Sequence, residues 1–341
     1  MRKRKLRSKA PGKLILSGEY GVLKGIRGIA FAIKNYVEVD IELTAKGVVD
    51  IDLKDYGTTC SLDYGHIANV ATLLAARYSD FLAGKAPIKT VIERPEELIS
   101  YAIALMKLRN IGLTIAVKST MPIASGMGSS AALIVSLVTG LAHICSLPYS
   151  LDTKFELARR LENLVHGHSS GIDLYAAMYG GCFSYAGGKI PAHPLRLPKM
   201  PLYAIWTGVP CVSTITCVEK TKDRLDDARM QDAFREVATA MHAAIAKSDV
   251  SQIIFCLRNN HRLLHSMGVV PAKVHRFVTA IEQAGFAAKV SGAGAIKGDN
   301  AGMLIAICDA QLIHSTCADF GYSYTSINLA PKGVRTYEYQ C

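Results

Sequence analysis

The chain has 341 residues, of which 50% are hydrophobic and 20% are charged, and its formal net charge is +11. This composition excludes a generally disordered protein, and the length is sufficient for two lobes or one large unit with a substantial core. Polar residues interrupt every apolar run before it reaches the roughly 18 residues of a membrane span, so neither a span nor a signal peptide is expected.

The chain begins with a basic run in residues 1–9. Because charged residues at a chain end are usually solvated, we predict a disordered arm here, with nucleic acid or a membrane surface as alternative partners. No aromatic residue interleaves with the run, which disfavours nucleic acid. The remaining positive charge fits an enzyme with acidic substrates. The basic residues are Arg2, Lys3, Arg4, Lys5, Arg7 and Lys9.

The first half of the chain is predicted to mix strands and helices. Alternating and β-branched residues indicate strands, whereas apolar residues three and four positions apart indicate helices. The helix over 131–147 is nearly all apolar, so we expect it to be buried on most sides. In chain order the predicted elements are strands at 13–18, 29–43 and 48–53, helices at 67–84 and 94–110, a strand at 112–120 and the helix at 131–147.

The second half begins with a predicted helix over 150–167, for which Ser150 or Asp152 is the candidate N-cap. The further elements are strands at 182–187 and 202–208, a largely helical block from 218 to 286, and strands at 287–294, 301–308 and 321–329. This order predicts an α+β fold. A boundary is expected where Pro and Gly accumulate between 185 and 200. We therefore divide the chain into the arm (1–9), an N-terminal domain (10–190) and a C-terminal domain (191–341).

The nine cysteines are widely spaced and form no CxxC pair. Such spacing disfavours a structural zinc site, whose ligands usually come in close pairs. Most of the cysteines stand among apolar residues, so we expect reduced, buried thiols in a cytoplasmic protein.

A glycine- and serine-rich stretch, "SGMGSS" at 125–130, directly precedes the apolar helix. Gly126 and Gly128 would leave backbone N–H groups bare, and the first turn of the helix adds unpaired donors and a positive dipole end. Together these features predict a phosphate cradle. A tight turn with a serine N-cap is the alternative. A dinucleotide fingerprint is disfavoured, because the strand ends several residues earlier and no acidic residue follows before Leu151.

Two further segments carry candidate functional residues. The first strand begins with Lys13 and is followed by Glu19, and a late "SGAG" stretch places Gly292 and Gly294 between two strands. Each segment alone is weak, since glycine between strands usually marks a turn. The three segments in this order resemble the GHMP kinases, named for galacto-, homoserine, mevalonate and phosphomevalonate kinases, over nearly the whole chain.

The resemblance implies a two-lobed GHMP kinase fold. Its N-terminal lobe would be related to domain 2 of ribosomal protein S5, and its C-terminal lobe would be ferredoxin-like. It also implies an ATP-dependent kinase with Mg²⁺ as cofactor, acting on a small acidic alcohol in isoprenoid precursor synthesis. The passage "ENLVHGHSSGIDLYAAMYGG" is most similar to mevalonate kinases, with phosphomevalonate kinases next.

The resemblance also assigns roles to individual residues. Asp173 would be the catalytic aspartate and Lys13 its partner, and Ser130 and Glu162 would hold magnesium. The nucleotide would be bound by Pro122, Ser125, Gly126, Met127, Gly128, Ser129, Ser130, Ala131, Gly292, Ala293 and Gly294. The acceptor would be bound by Glu19, Tyr20, His166, Ser170, Gly171, Ser213 and Thr214.

Several residues depart from the pattern of mevalonate kinases. Tyr20 stands in place of a histidine, Ser169 in place of a proline and Leu174 in place of an asparagine, and the third loop is longer and poorer in glycine. These departures leave phosphomevalonate kinase open as the alternative. A non-catalytic ligand-binding relative is a separate alternative, which the presence of Lys13, Ser130, Glu162 and Asp173 disfavours. His166 and His168 are read as loop histidines, not as a metal pair. A homodimer is compatible with the sequence, which does not determine the oligomeric state.

Overall fold

The computed structural model describes residues 4–54, 57–122, 125–186 and 194–340. Its strands are β1 (Arg4–Ser17), β2 (Gly28–Thr44), β3 (Val49–Leu53), β4 (Thr58–Leu62), β5 (Gly112–Ser119), β6 (Cys182–Tyr185), β7 (Leu202–Trp206), β8 (Ala287–Val290), β9 (Met303–Ile307), β10 (Ser323–Ser326) and β11 (Arg335–Gln340). Its α-helices are α1 (Tyr64–Leu82), α2 (Pro95–Leu105), α3 (Ser129–Ile144), α4 (Leu151–His166), α5 (Ile172–Tyr179), α6 (Thr214–Lys220), α7 (Lys222–Asp226), α8 (Ala228–Ala246), α9 (Val250–Ser266), α10 (Ala272–Gln283) and α11 (Ala310–Phe320).

The first lobe is built on a sheet to which, within the described residues, seven strands contribute in the order β11-β1-β2-β5-β3-β4, with β6 paired to β2. The alternating residues of the long strand β2 explain why one face of this sheet is buried. Its residues Val37, Val39 and Ile41 are buried, while the acidic residues between them point the other way. The apolar helix α3 packs on β1 and β2, so the glycine- and serine-rich stretch at its start is held against the sheet.

The predicted disordered arm is wrong for residues 4–9, and residues 1–3 lie outside the described part of the chain. Residues 4–9 form the first half of β1, which pairs with β2 on one side and β11 on the other. Three of the basic side chains stand opposite acidic residues of β2. They form cross-strand ion pairs instead of being solvated on a free arm. The ion pairs are Lys5–Glu42 (2.9 Å), Arg7–Asp40 (2.7 Å) and Lys9–Glu38 (3.7 Å).

The second lobe contains a four-stranded antiparallel sheet in the order β10-β7-β9-β8. Taken along the chain, β7, α10, β8, β9, α11 and β10 form a βαββαβ unit, which is the ferredoxin-like arrangement. Helices α6 to α9 are inserted after β7. The ferredoxin-like second lobe is therefore confirmed, and so is the mixed α+β class.

The C-terminal end of the chain does not follow the predicted division into domains. Strand β11 belongs by sequence to the predicted C-terminal domain, yet it completes the sheet of the first lobe by pairing with β1. The chain returns there through Leu329, which bridges Ile33 of β2. The predicted boundary at 190/191 falls in residues 187–193, outside the described part of the chain.

Most predicted elements are present, with shifted ends. Helix α3 begins at Ser129, two residues earlier than expected, and α2 stops at Leu105, before Lys107 and Asn110 adopt positive φ. Strands β4 and β11 and helices α5 and α11 were not predicted. Among the described residues, eight cysteines are free, and no helix has the length and apolar character needed to cross a membrane.

Removing residues 1–8 should lower the melting temperature by more than about 5 °C. The truncation deletes buried Leu6, most of the backbone ladder that joins β1 to β11, and the first part of the ladder that joins β1 to β2. A matched control is Lys9→Gln, which keeps the backbone and loses one partly exposed ion pair, a contribution of about 0–1 kcal/mol. Thermal melts followed by circular dichroism compare the two. A truncated protein that melts with the wild type would show that this part of β1 is dispensable.

Candidate active site

The loop between β5 and α3 turns through two glycines with positive φ, Gly126 (80°) and Gly128 (75°). Gly128 is itself the N-cap of α3, and no side chain caps the helix. The alternative of a serine N-cap is therefore wrong. Ser129 and Ser130 form the start of the first helical turn instead, so their hydroxyl groups are not used for capping. An uncapped first turn leaves N–H donors suited to an anion.

The side chain of Lys13 lies against this loop. Its Nζ donates a hydrogen bond to the carbonyl oxygen of Gly126 (2.8 Å), and its backbone N–H donates to that of Met127 (2.8 Å). A Cβ at Gly128 would stand 3.1 Å from Lys13 Cγ, so glycine permits this close approach as well as the positive φ. Lys13 is only 4% exposed and lies on an interior strand, so it is not a solvated lysine on a sheet edge.

Lys13 also faces Asp173. Its Nζ is 3.4 Å from Asp173 Oδ1, and Asp173 lies in the first turn of α5, after the N-cap Gly171. The aspartate is therefore not the cap of its helix. Its side chain keeps 29% of its surface exposed, so a small molecule can reach it from solvent. The structure thus brings together two predicted residues that are far apart in the sequence.

The third predicted segment faces the first loop. Gly292 (φ 112°) and Gly294 (φ 65°) follow β8, and a Cβ at Gly126 would come within 3.4 Å of the Ser291 carbonyl oxygen. The connection to the second lobe is reinforced by the Met303 N–H, which donates to Ser125 O (3.2 Å). The two glycine loops therefore lie close to each other where the two lobes meet.

Glu162 lies inside the site on α4 and is 2% exposed, so it is not a solvated helix charge. Burial, together with the nearby charge of Asp173, raises the pKa of Glu162 to about 8. The hydroxyl of Ser169 donates a hydrogen bond to its carboxylate. A buried carboxyl group next to a second one is a place where a cation is favoured.

Ser130 and His166 complete this group. Ser130 Oγ is 3.0 Å from His166 Nε2, and burial lowers the pKa of His166, so its ring is neutral near pH 7. His166 is the last residue of α4, so its reading as a loop histidine is wrong, whereas His168 follows the helix with its ring centroid 6.1 Å from that of Phe81.

The donor set suits magnesium delivered with a nucleotide. Hydroxyl and carboxylate oxygens are the ligands that Mg²⁺ takes, together with phosphate oxygens and water. Ser130 Oγ and the Glu162 carboxylate are such ligands. Among the described residues, no group of three or more His, Cys, Asp or Glu side chains is arranged to hold a metal alone. The remaining ligands would then have to come from the nucleotide.

The other predicted acceptor residues are spread around this centre. Glu19 forms a buried ion pair with Lys289, and the Tyr20 hydroxyl donates to the Ala293 carbonyl oxygen (2.6 Å) of the third loop. Ser213 is the N-cap of α6, directly before Thr214. Ser170 accepts a hydrogen bond through its carbonyl oxygen from the Tyr185 hydroxyl (2.8 Å). Their role in binding an acceptor stays a prediction, as does that of Pro122 and Ala131 in binding the nucleotide.

Sequence reasoning missed three polar residues of this region: Ser169 as a partner of Glu162, and Asn260 and Lys289 as partners of Glu19. A lysine inside the apolar strand "AAKV" is the one available signal, because a buried lysine requires a partner. Nothing in the sequence identifies that partner.

Comparison with known proteins gives consistent similarities. The family described as the GHMP kinases N terminal domain matches residues 97–181. A mevalonate kinase of Pyrococcus furiosus is 28% identical over 303 residues, covering 85% of this chain and 86% of that protein. The crystal structure of the Methanococcus jannaschii mevalonate kinase superposes with a TM-score of 0.76 at 19% identity, covering 95% of this chain and 98% of that one. The Streptococcus pneumoniae phosphomevalonate kinase, in complex with phosphomevalonate and AMPPNP, superposes with a TM-score of 0.70 at 19% identity, covering 94% and 99%.

The raised pKa of Glu162 should contribute a loss of stability to the metal-free protein as pH rises. The folded protein retains a proton that the unfolded chain releases, so the stabilisation is complete below about pH 4.5 and is lost as pH rises towards 8. The slope from this group should reach at most about 1.4 kcal/mol per pH unit. Glu162→Gln should abolish it.

Urea unfolding in the presence of a chelator, repeated from about pH 5 to about pH 8, measures this slope as the difference between the wild type and Glu162→Gln. Histidines with a lowered pKa contribute the opposite slope in both proteins. Glu156→Gln is the matched control, because Glu156 is an exposed glutamate on the same helix. A Glu162→Gln protein with the same pH dependence as the wild type and the control would contradict the prediction.

Proposed function

This chain belongs to the GHMP kinases, and from that membership we propose that it is an ATP-dependent kinase that converts mevalonate to 5-phosphomevalonate. The observation that carries the proposal is the Lys13–Asp173 pair at 3.4 Å, directly beside the Gly126–Gly128 turn. A phosphoryl donor held by that turn and an alcohol next to Asp173 would meet at this pair.

The nucleotide is held mainly by backbone groups. The N–H groups of Ser129 and Ser130 and the positive end of the α3 dipole would face its phosphates. Because Gly126 and Gly292 have no side chains, the phosphates can approach the backbone of both loops. A magnesium ion bound with the nucleotide would be held by Ser130 Oγ and Glu162 and would neutralise negative charge on the phosphates.

The transfer itself requires a new bond between the acceptor oxygen and the γ-phosphorus and loss of the bond to the β-phosphate oxygen. Asp173 orients the acceptor hydroxyl and accepts its proton, and ADP departs with the bridging oxygen. Lys13, with its ammonium group between Gly126 O and Asp173, offsets the negative charge of the transferring group. Because such transition states are loose, positioning and charge contribute more than early proton removal.

Mevalonate is favoured over phosphomevalonate by the charge around the site. Lys13 Nζ lies 3.4 Å from Asp173 Oδ1, and burial lowers the pKa of His166, which is therefore neutral near pH 7. Arg77, on nearby α1, is already paired with Glu93 and Glu97. The phosphate group that 5-phosphomevalonate carries, and mevalonate lacks, would need more positive charge. The similarity to curated mevalonate kinases supports the same choice.

Phosphomevalonate kinase is the second candidate, favoured by Tyr20 in place of the histidine of mevalonate kinases. A non-catalytic binding protein is less well supported, because burying Glu162 beside Asp173 is unfavourable without a cation to bind. The eight free cysteines of the described chain support a reducing, cytoplasmic location.

ADP release in a coupled assay, with mevalonate and then with 5-phosphomevalonate, tests the proposal. Turnover should require mevalonate and Mg²⁺. Asp173→Asn should reduce kcat by about 10³ while ATP still binds, because the change removes charge and proton acceptance but little volume. Faster turnover with 5-phosphomevalonate would support the second candidate. ATP binding without turnover of either acceptor would indicate a binding protein.

A further inference from the structure

The two lobes meet along a buried polar contact that the proposed chemistry does not use. We call it the interlobe seam; it consists of Ser17 and Glu19 from the first lobe and Asn260, Lys289 and Ser291 from the second. All five side chains are buried, and Lys289 is completely inaccessible to solvent. Buried polar groups are retained only when their hydrogen bonds are made, so the contacts of this seam need to be accounted for.

Lys289 connects the strand β8 to the end of β1. Its Nζ donates to Glu19 Oε1 in an ion pair and to the Ile15 carbonyl oxygen (3.1 Å). The second oxygen of Glu19 accepts from Asn260 Nδ2 (3.2 Å). The ammonium group is therefore bound to the first lobe through both a side chain and the backbone.

Two further contacts complete the seam. Asn260 Oδ1 accepts from the Ser17 hydroxyl (3.0 Å) and from the Gly18 N–H (3.3 Å), and Ser291 Oγ accepts from the Ile15 N–H (2.8 Å). None of the five side chains has an unsatisfied buried atom in the described part of the chain. A fully satisfied buried network of this kind defines one relative placement of the elements that it joins.

Stability alone does not explain this ion pair. Replacing a buried ion pair by apolar side chains of similar size is often neutral or stabilising, so a hydrophobic contact would hold the lobes together as well. A hydrophobic contact, however, is not directional and does not fix one relative position of the two lobes as hydrogen bonds do. The seam fixes the position of β8 relative to the end of β1, and the chain continues from Lys289 in β8 to Gly292 within three residues.

The strand β1 thereby holds both glycine loops. Lys13 binds the first loop through Gly126 O and Met127 O, and Ile15, two residues further, is bound by Lys289 and Ser291 at the base of the third loop. The hydroxyl of Tyr20, next to Glu19, reaches the Ala293 carbonyl oxygen. Displacement of β8 relative to β1 would separate the two loops.

We propose that Glu19 and Lys289 are positioning residues, which hold the Gly292–Gly294 loop against the Gly126–Gly128 loop so that a nucleotide is bound between them. This assignment differs from the acceptor-binding role expected for Glu19 from the sequence. It rests on the proposed function only in requiring a nucleotide between the loops, and it does not depend on which acceptor is phosphorylated.

The test uses Glu19→Gln, Lys289→Met and the double variant, with two readouts. Each single variant leaves a buried charged or polar group without its partner and should lower the melting temperature by about 10 °C. The double variant has no unpaired charge, so its melting temperature should recover most of that loss. Its affinity for Mg-ADP, measured by calorimetry, should nevertheless stay at least about tenfold below the wild type, because the methionine side chain introduced by Lys289→Met cannot donate to the Ile15 carbonyl oxygen.

Phe277→Leu is the matched control, since it weakens the core of the second lobe away from the seam. It should lower the melting temperature while Mg-ADP affinity stays within about twofold of wild type. The proposal is overturned if the double variant binds Mg-ADP as the wild type does, or if affinity follows melting temperature across all four variants. Wild-type protein that fails to bind Mg-ADP would overturn the proposed function and this inference together.

Discussion

The geometry of the site depends on the contacts of the buried ammonium group of Lys13. This group is shielded from solvent, binds the Gly126 carbonyl oxygen at 2.8 Å and lies 3.4 Å from Asp173 Oδ1. The backbone of the same residue binds Met127. A strand, a glycine loop and the start of a helix from three distant parts of the sequence are thus held at one point. Gly128 is required beside it, because a side chain there would crowd the lysine stem.

The charge distribution around that point explains why the site is suited to a cation and an anion at once. Glu162 and Asp173 bring two carboxyl groups close together, and burial makes the ionised form of Glu162 unfavourable. A divalent ion would relieve this, and the first turn of α3 would at the same time attract the phosphates that accompany it. The free energy needed to bury Glu162 beside Asp173 would thus favour binding of the divalent ion and the phosphates that accompany it.

Sequence patterns were informative where function depends on residue types that are close along the chain. The spacing of Gly126, Gly128, Ser129 and Ser130 predicted a turn into a buried helix, and that turn is present. The same reasoning was wrong for the basic run, because its acidic partners lie on β2 and only the strand register brings them opposite. Lys289 and Glu19 are 270 positions apart, so the seam could not be predicted locally either. Long-range pairing of strands, as in β11 with β1, was the feature that local patterns could not supply.

The central claim is that Lys13 and Asp173 act as one unit in phosphoryl transfer. A double-mutant cycle on kcat, with Lys13→Met, Asp173→Asn and the double variant, tests it most directly. If the two residues form a unit, the double variant should be no more than about threefold slower than the worse single variant, because either change already disables the pair. Losses that multiply, so that the logarithms of the two single effects add in the double variant, would contradict the account and show that the two residues act independently.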